Sequence, residues 1–343
     1  MSAGNARKER GVALLVVLIL LVMMSALAAK ISQQFCRHLQ KTHYQVSQQT
    51  LRWAIARQQK VLENVLQKAG GAESAGLSPE GDWAQPLETH GDNYTVVSQV
   101  EDARTCFNVN SLLAVDAAPA AAAPAPTDGG ALPEKPVKEQ IIEQLLVESG
   151  VGTLAAEEIY QQLVDYLDAD DVTAKEGQEA DAWASVAPAR GPANQMMRTA
   201  GEIRLLPAFP QAAWAKASQY LCALPDTDGT VDVNTLTPEQ APLLAAVFTG
   251  VLTKDDAARL IDSRPEEGWE SLDAFSKVLE SNYPQTKEIL AQLQDRVAVN
   301  SRYFRVNTTG NTDDLTLRVV SQLHVDSEAG KVVTWQRRYR MVE

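Results

Sequence analysis

The sequence predicts an α+β fold. One long N-terminal helix packs on an antiparallel sheet, and a large all-α domain is inserted into that sheet. Three observations predict it. An uncharged apolar run of 19 residues, Gly11 to Ala29, passes into a Gly- and Pro-free polar stretch with helical periodicity as far as about Lys68. The C-terminal residues from Arg302 onward are β-branched and alternate in polarity. Between these, from Glu139 to about Arg296, the pattern is helical.

Arg7, Lys8 and Arg10 precede the apolar run and Lys30 follows it. The run is close to the ~20 residues that cross a bilayer core as one helix. The positive cluster ahead of it places the N-terminus in the cytoplasm and the rest of the chain across the membrane. A cleaved signal peptide is the rival reading, because Ser25–Ala29 offers small residues for a cleavage site. The length of the run and the helix that follows favour an anchor. Leu51, Ile55, Leu62 and Val65–Leu66 recur near helical spacing, and Gly70-Gly71 ends the helix.

Downstream, Asn93–Glu101 and Thr105–Val109 are expected to be extended. The Ala/Pro/Gly stretch from Asp116 to Pro136 holds too little apolar bulk to fold, so 114–137 is expected to be a linker. Arg302–Val306, Leu315–Val325 and Val332–Val342 are expected to form a three-stranded meander. Its turns are placed at Asn307–Thr312 and Asp326–Gly330.

A basic leader ending in Gly, an apolar helix and an amphipathic extension resemble the type IV pilin and pseudopilin class. That resemblance implies cleavage by prepilin peptidase after Gly11, leaving a methylated Val12 as the new N-terminus. Pilins usually carry Glu as the fifth residue after the cut; here it is Val16. The Glu is understood to pair inside the bilayer with the terminal amine of a neighbouring subunit, and a buried carboxylate without a partner costs several kcal/mol. A subunit with nothing above it does not need the Glu, so within this class Val16 points to the tip.

The net charge is −13, and loss of a leader holding three Arg/Lys and one Glu takes it to about −15. Such a surface repels nucleic acid and favours cations or cationic partners. Three cysteines, Cys36, Cys106 and Cys222, leave three pairings open in an oxidising compartment. Cys106 with Cys222 is favoured, since Cys36 sits on the long helix just outside the membrane. No metalloprotease, nucleophile-elbow or phosphate-loop motif is present, and the chain is not expected to be an enzyme.

A faint repeat relates Phe107–Leu112 (Phe-Asn-Val-Asn-Ser-Leu) to Val231–Leu236 (Val-Asp-Val-Asn-Thr-Leu). Each Asn-Ser/Thr pair is expected to cap a helix. The second copy resembles a helix-hairpin-helix module, so the insert is expected to hold two SAM-like or helix-hairpin-helix-like halves. A membrane-anchored DNA-binding protein of the competence type is therefore the alternative function. Against it, the hairpin Val247–Thr253 has one Gly and no basic residue before Lys254.

The densest polar cluster runs from Asp165 through Asp168, Asp170 and Asp171 to Glu176, Gly177, Glu179, Asp181 and Trp183. Asn194, Met197 and Glu202-Ile203-Arg204 follow. Together with Cys222-Ala-Leu-Pro, Val233-Asn-Thr and Arg264-Pro-Glu-Glu-Gly-Trp, this pattern resembles the K-type minor pseudopilins of the bacterial type II secretion system over essentially the whole chain. Tyr166, Gln178 and Ile203 depart from it mildly, standing where Trp, Ala and Leu are usual.

Clustered carboxylates without His or Cys suit Ca²⁺, and the resemblance also implies calcium. Asp168, Asp170 and Glu179 are the first candidate ligands, with Asp171, Asp181 and Asn194 next. A solvated acidic loop is the other reading of the same residues. The resemblance divides the chain into a leader (1–11), a transmembrane and amphipathic helix (12–68), a pilin body (69–109 and 301–343) and an inserted α-domain (110–300). It implies a single-pass inner-membrane protein with a periplasmic C-terminal domain at the tip of the pseudopilus. Its implied partners are the I-type and J-type minor pseudopilins, the major pseudopilin filament and prepilin peptidase, with exported proteins as further candidates and no nucleic acid.

Overall fold

The computed structural model describes residues 5–70, 76–114, 135–170, 172–174, 177–178, 183, 191–326 and 329–342. Helix α1 runs unbroken from Asn5 to Ala69. Its apolar segment is long enough to cross a membrane, and all side chains from Val12 to Ala29 are exposed. The second half of α1 lies on a five-stranded antiparallel sheet of order β1-β2-β7-β8-β9. The strands are β1 (Leu87–His90), β2 (Thr95–Asp102), β7 (Tyr303–Asn311), β8 (Thr316–Asp326) and β9 (Lys331–Val342).

The periodicity read from the sequence is the packing face. Leu51, Ala54 and Ile55 pack on Val96, Leu315, Leu317 and Val319. Leu62 and Leu66 pack on Phe304, Leu323 and Val325 at the other end of the sheet. Gly70 follows the helix where a side chain would meet Ser301 O at 3.1 Å and Phe304 Cε2 at 3.2 Å.

β2 and β7 are adjacent in the sheet but far apart in sequence, so everything between Asp102 and Tyr303 is an insertion between neighbouring strands. It begins with β3 (Phe107–Asn108) and a 3₁₀ turn, Val109–Ala114. Helices α2 (Val137–Glu148) and α3 (Thr153–Leu167) follow, and β4 (Leu221–Cys222) pairs parallel to β3. The second half repeats the plan. β5 (Val231–Asp232) leads into α4 (Ala241–Val247), α5 (Lys254–Asp262) and α6 (Leu272–Asn282), and β6 (Val297–Ala298) pairs parallel to β5. One contiguous apolar core joins both halves.

Four details differ from the sequence reading. Thr105–Val109 narrows to the two residues of β3. β4, β5 and β6 were not anticipated, because two-residue strands leave no alternation to read. β1 pairs with β2 from His90 to Leu87 and was likewise not anticipated. Asn307–Asn311 is strand, not turn: buried Val306, Thr308 and Gly310 alternate with solvent-facing Asn307, Thr309 and Asn311. The turn is displaced to Thr312–Leu315, closed by Thr312 N–H to Leu315 O at 2.9 Å.

Candidate functional site

Three regions carry the candidate residues. The first is the start of α1, where Gly11 and Val12 lie within the helix and Val16 is exposed among apolar neighbours. Beyond the membrane-length segment, the face of α1 turned away from the sheet exposes Phe35, Leu39, Val46 and Trp53. His43 Nδ1 meets Asp314 Oδ2 at 2.8 Å, tying the helix to the β7–β8 turn.

The second region is the acidic loop after α3. Asp165 is fully buried and accepts Ala174 N–H with both oxygens, at 3.0 and 3.2 Å. Burial holds its pKa above the ordinary carboxylate value. A side chain on Gly177 would overlap that carboxylate, with Asp165 Oδ2 at 2.0 Å from its first carbon, which is why glycine stands there. Tyr166 donates to Glu202 Oε2 at 3.2 Å and lies against the Trp183 ring, 5.7 Å between centroids. Burial, then the Glu202 charge, pushes its phenol up to about 12. Trp183 Nε1 donates to Gln178 O at 2.8 Å. The motif's Asp165, Tyr166, Gly177 and Trp183 therefore build the loop's base.

Of the six candidate ligands, Asp168, Asp170 and Asn194 are described; Asp171, Glu179 and Asp181 lie outside the described residues. Asp168 caps the C-terminus of α3, and Asp170 Oδ1 accepts Val172 N–H at 2.8 Å. Asn194 sits at φ 46° and donates its N–H to Tyr166 O. Its side-chain oxygen is buried and receives no hydrogen bond. Among the described residues no three acidic, His or Cys side chains converge as a metal cluster. The donor types described suit a hard cation: the carboxylates of Asp168 and Asp170 and the unpartnered side-chain oxygen of Asn194 are all oxygen ligands.

The third region is the seam between body and insert. Cys106 and Cys222 are joined, with their Cα atoms 5.7 Å apart, linking the end of the outgoing chain to β4. Cys36 is exposed on α1. Asp102, the last residue of β2, accepts Arg104 N–H at 2.9 Å and the Thr235 hydroxyl at 2.5 Å. Asp232 on β5 accepts Asn234 N–H at 2.9 Å, while its other oxygen has no donor. Burial raises both pKa values, and the neighbouring Asp102 charge raises that of Asp232 further. A proton on one of two neighbouring buried acids would supply the missing donor. Asp226 and Asp228 form tight side-chain-to-backbone turns, and Arg104 pairs with Asp228. Arg264 donates to Leu236 O at 2.7 Å, a structural rather than an anion-binding role.

The repeated Asn residues do not cap helices. Asn110 donates to Met197 O and Leu224 O, and its oxygen accepts Met197 N–H. Asn234 does the same with Trp269 O, Val299 O and Trp269 N–H. Both side chains are buried clamps, and a clamp satisfies three backbone groups that would otherwise be orphaned. Their matching positions in the repeat were the sequence signal for this shared role.

The family description "Type II secretion system (T2SS), protein K" matches residues 105–226 and, in a second stretch, 231–300. These stretches together span more than half of the chain. The chain belongs to the type II secretion system protein K family. The putative type II secretion system protein K of Escherichia coli K12 is 32% identical over 308 residues, covering 90% of each chain. Type II secretion system protein K of Pectobacterium carotovorum subsp. carotovorum is 30% identical over 336 residues, covering 97% of each. The same fold occurs in the crystal structure of the GspK-GspI-GspJ complex from enterotoxigenic Escherichia coli. The TM-score is 0.72 at 23% identity, covering 88% of this chain and 99% of that one.

The family makes this chain a minor pseudopilin of type II secretion, a component of secretion machinery. The DNA-binding alternative finds no support there, and the hairpins agree. Lys254 pairs with Glu148 from the end of α2, so the one basic residue at the second hairpin is already neutralised by the first. That first hairpin, Ser149-Gly150-Val151-Gly152 between α2 and α3, escaped the sequence reading although its glycines separate two helical runs.

Proposed function

We propose that the chain is the tip subunit of the type II secretion pseudopilus. It is held in the inner membrane by α1 with its C-terminal domain in the periplasm, and it primes filament assembly with I-type and J-type minor pseudopilins. The observation that carries this reading is α1 from Val12 to Ala29: every side chain is exposed, none is charged, and Val16 stands where a pilin places its Glu. A wholly exposed apolar helix needs lipid or neighbouring helices around it. Without a carboxylate there, nothing calls for the amine of a further subunit above. The insert agrees, because it emerges at the Leu62–Ala69 end of the helix, away from the apolar segment. A domain of that size on the upper surface blocks another layer. Assembly beneath it pushes folded exoproteins through the outer membrane, and contact with them at the tip follows from this position.

The acidic loop is proposed to hold Ca²⁺ through Asp168, Asp170 and Asn194 with Asp171, Glu179 and Asp181. The ion supplies charge neutralisation that lets these carboxylates lie together.

The test is the N-terminal mass of the full chain recovered from membranes with and without prepilin peptidase. A mature chain beginning at methylated Val12 is expected only with the peptidase. An intact Met1, or a cut near Ala29, overturns the reading.

A further inference from the structure

The chain is strongly acidic overall, yet one surface gathers five arginines, and among the described residues only Glu101 answers any of them, pairing with Arg305. A cleft of about 200 Å³ opens between the insert and the sheet face that α1 does not cover. Arg198 from the insert, Arg305 on β7 and Arg338 on β9 line it together with Gln322, Gln336 and Trp214, and no Asp or Glu does. Arg305 has a single acidic neighbour, Glu101, at 3.9 Å. From Arg338 the positive surface continues along β9, where Arg340 lies directly opposite Arg318 of β8. Gln336 to Arg340 spans roughly 14 Å of strand at ~3.4 Å per residue. Arg198, Arg318, Arg338 and Arg340 are all exposed, and among the described residues none of the four makes an ion pair.

The sheet register offers the Arg318–Arg340 corner no adjacent acid. The row through the Arg318–Arg340 pair runs Glu88, Val97, Thr309, Arg318, Arg340. Its one acid is therefore three strands from Arg318, roughly 14 Å away at ~4.8 Å per strand, and Glu88 is engaged with His90 at 3.2 Å. Like charges directly opposite across a strand pair destabilise a sheet. Protection of the open edge at β9 would explain charged residues on β9 itself. It explains neither Arg318 on an interior strand nor Arg198 on the insert.

We infer that this arginine track, from the cleft at Arg198, Arg305 and Arg338 to the corner at Arg318 and Arg340, docks a carboxylate-rich segment of a neighbouring subunit. The inference rests on the pseudopilin reading for the identity of the neighbour. Guanidinium forks match carboxylates in a bidentate way, and a cleft of this size takes one or two acidic side chains while the open edge leaves room for the chain that carries them. A lipid surface does not fit the placement. Leu317 and Val319, which flank Arg318, pack on Leu51, 22 residues beyond Ala29. That is roughly 33 Å of helix, several times the ~8 Å screening length at physiological salt.

The experiment uses the full chain in neutral detergent and a fluorescent peptide that alternates Glu with Thr. Wild type is expected to bind it with an affinity that falls as salt rises. Arg338→Gln with Arg340→Gln, and separately Arg198→Gln, are each expected to weaken binding at least tenfold. The β9 variant is expected to melt no lower than wild type, since it removes a like-charge pair. Equal binding by the variants, equal binding of the Gln-for-Glu peptide, or tighter binding of single-stranded DNA or inorganic phosphate overturns the proposal. Co-purification with I-type and J-type pseudopilins separates the two readings. If wild type fails to co-purify, the pseudopilin partnership fails while the peptide result stands. If wild type and the β9 variant co-purify equally, the docking surface fails.

Discussion

Asp102 and Asp232 reach the seam from opposite sides, one ending β2 and the other opening the second half of the insert. Burial raises both, and the Asp102 charge adds to it for Asp232, which favours a proton on the pair. Arg104 and Arg264 are the cations that face this pair, with Asp228 close to Arg104. A raised folded value means that the native protein binds more protons than the unfolded chain above the ordinary Asp pKa of ~3.9. The pair's contribution is thus complete below that value and is lost as pH rises through the raised pKa, at up to about 1.4 kcal/mol per pH unit. Asp228 and Glu148, held low by Arg104 and by Lys254 and Lys216, act oppositely, but only as pH falls toward their own range. Asp232→Asn should therefore flatten the decline of stability as pH rises above the ordinary Asp range, as followed by denaturant unfolding of the full chain. An unchanged slope would show that the pair holds no proton. None of this was legible in the sequence, because Asp102 and Asp232 lie far apart along the chain and only the fold brings them together. The clamps Asn110 and Asn234 were half legible: the repeat exposed the positions, and capping was the wrong role because both side chains turn inward.

One helix serves two surfaces, and the contrast can be measured two residues apart. Leu51 is fully buried against Val96, Leu317 and Val319, while Trp53 is 69% exposed on the opposite face. Leu51→Ala removes a core side chain and should cost roughly 3–5 kcal/mol. Trp53→Ala should change stability by no more than about 0.5 kcal/mol. Its effect should appear instead as weakened co-purification with sibling pseudopilins, because an exposed Trp that a partner covers is a strong anchor. Denaturant midpoints and pull-downs on both variants check the pair; a large stability loss from Trp53→Ala would place that face in the protein's own core. This element was legible because its apolar spacing is long and uninterrupted. The meander was legible through alternation, and its misplaced turn came from reading Asn and Thr as turn formers when they were the wet side of β7. Strands of two residues offer no period, so β4 to β6 emerged only in three dimensions.

At the scale of the whole molecule, topology was legible because the membrane-length run, the helical insert and the terminal meander are distinct in composition. The acidic stretch falls in the first half of the insert, between α3 and Asn194. Asp165 and Trp183 fix the loop's base, but the carboxylates that follow repel one another unless a cation joins them. A bound Ca²⁺ should therefore stabilise the full chain by mass action, by about 2.7 kcal/mol when free Ca²⁺ is 100-fold above its dissociation constant. In a chain of this size that is a rise of several degrees in melting temperature, reversed by EGTA. Mg²⁺ at the same concentration should do much less, since it demands near-ideal octahedral geometry and gives up its waters reluctantly. Asp168→Asn with Asp170→Asn should abolish the calcium shift while leaving the melting temperature in EGTA near that of wild type. A shift that survives those substitutions would put the ion elsewhere. No shift in wild type would leave the loop a solvated acidic segment and Asn194 a buried oxygen without a purpose in the site.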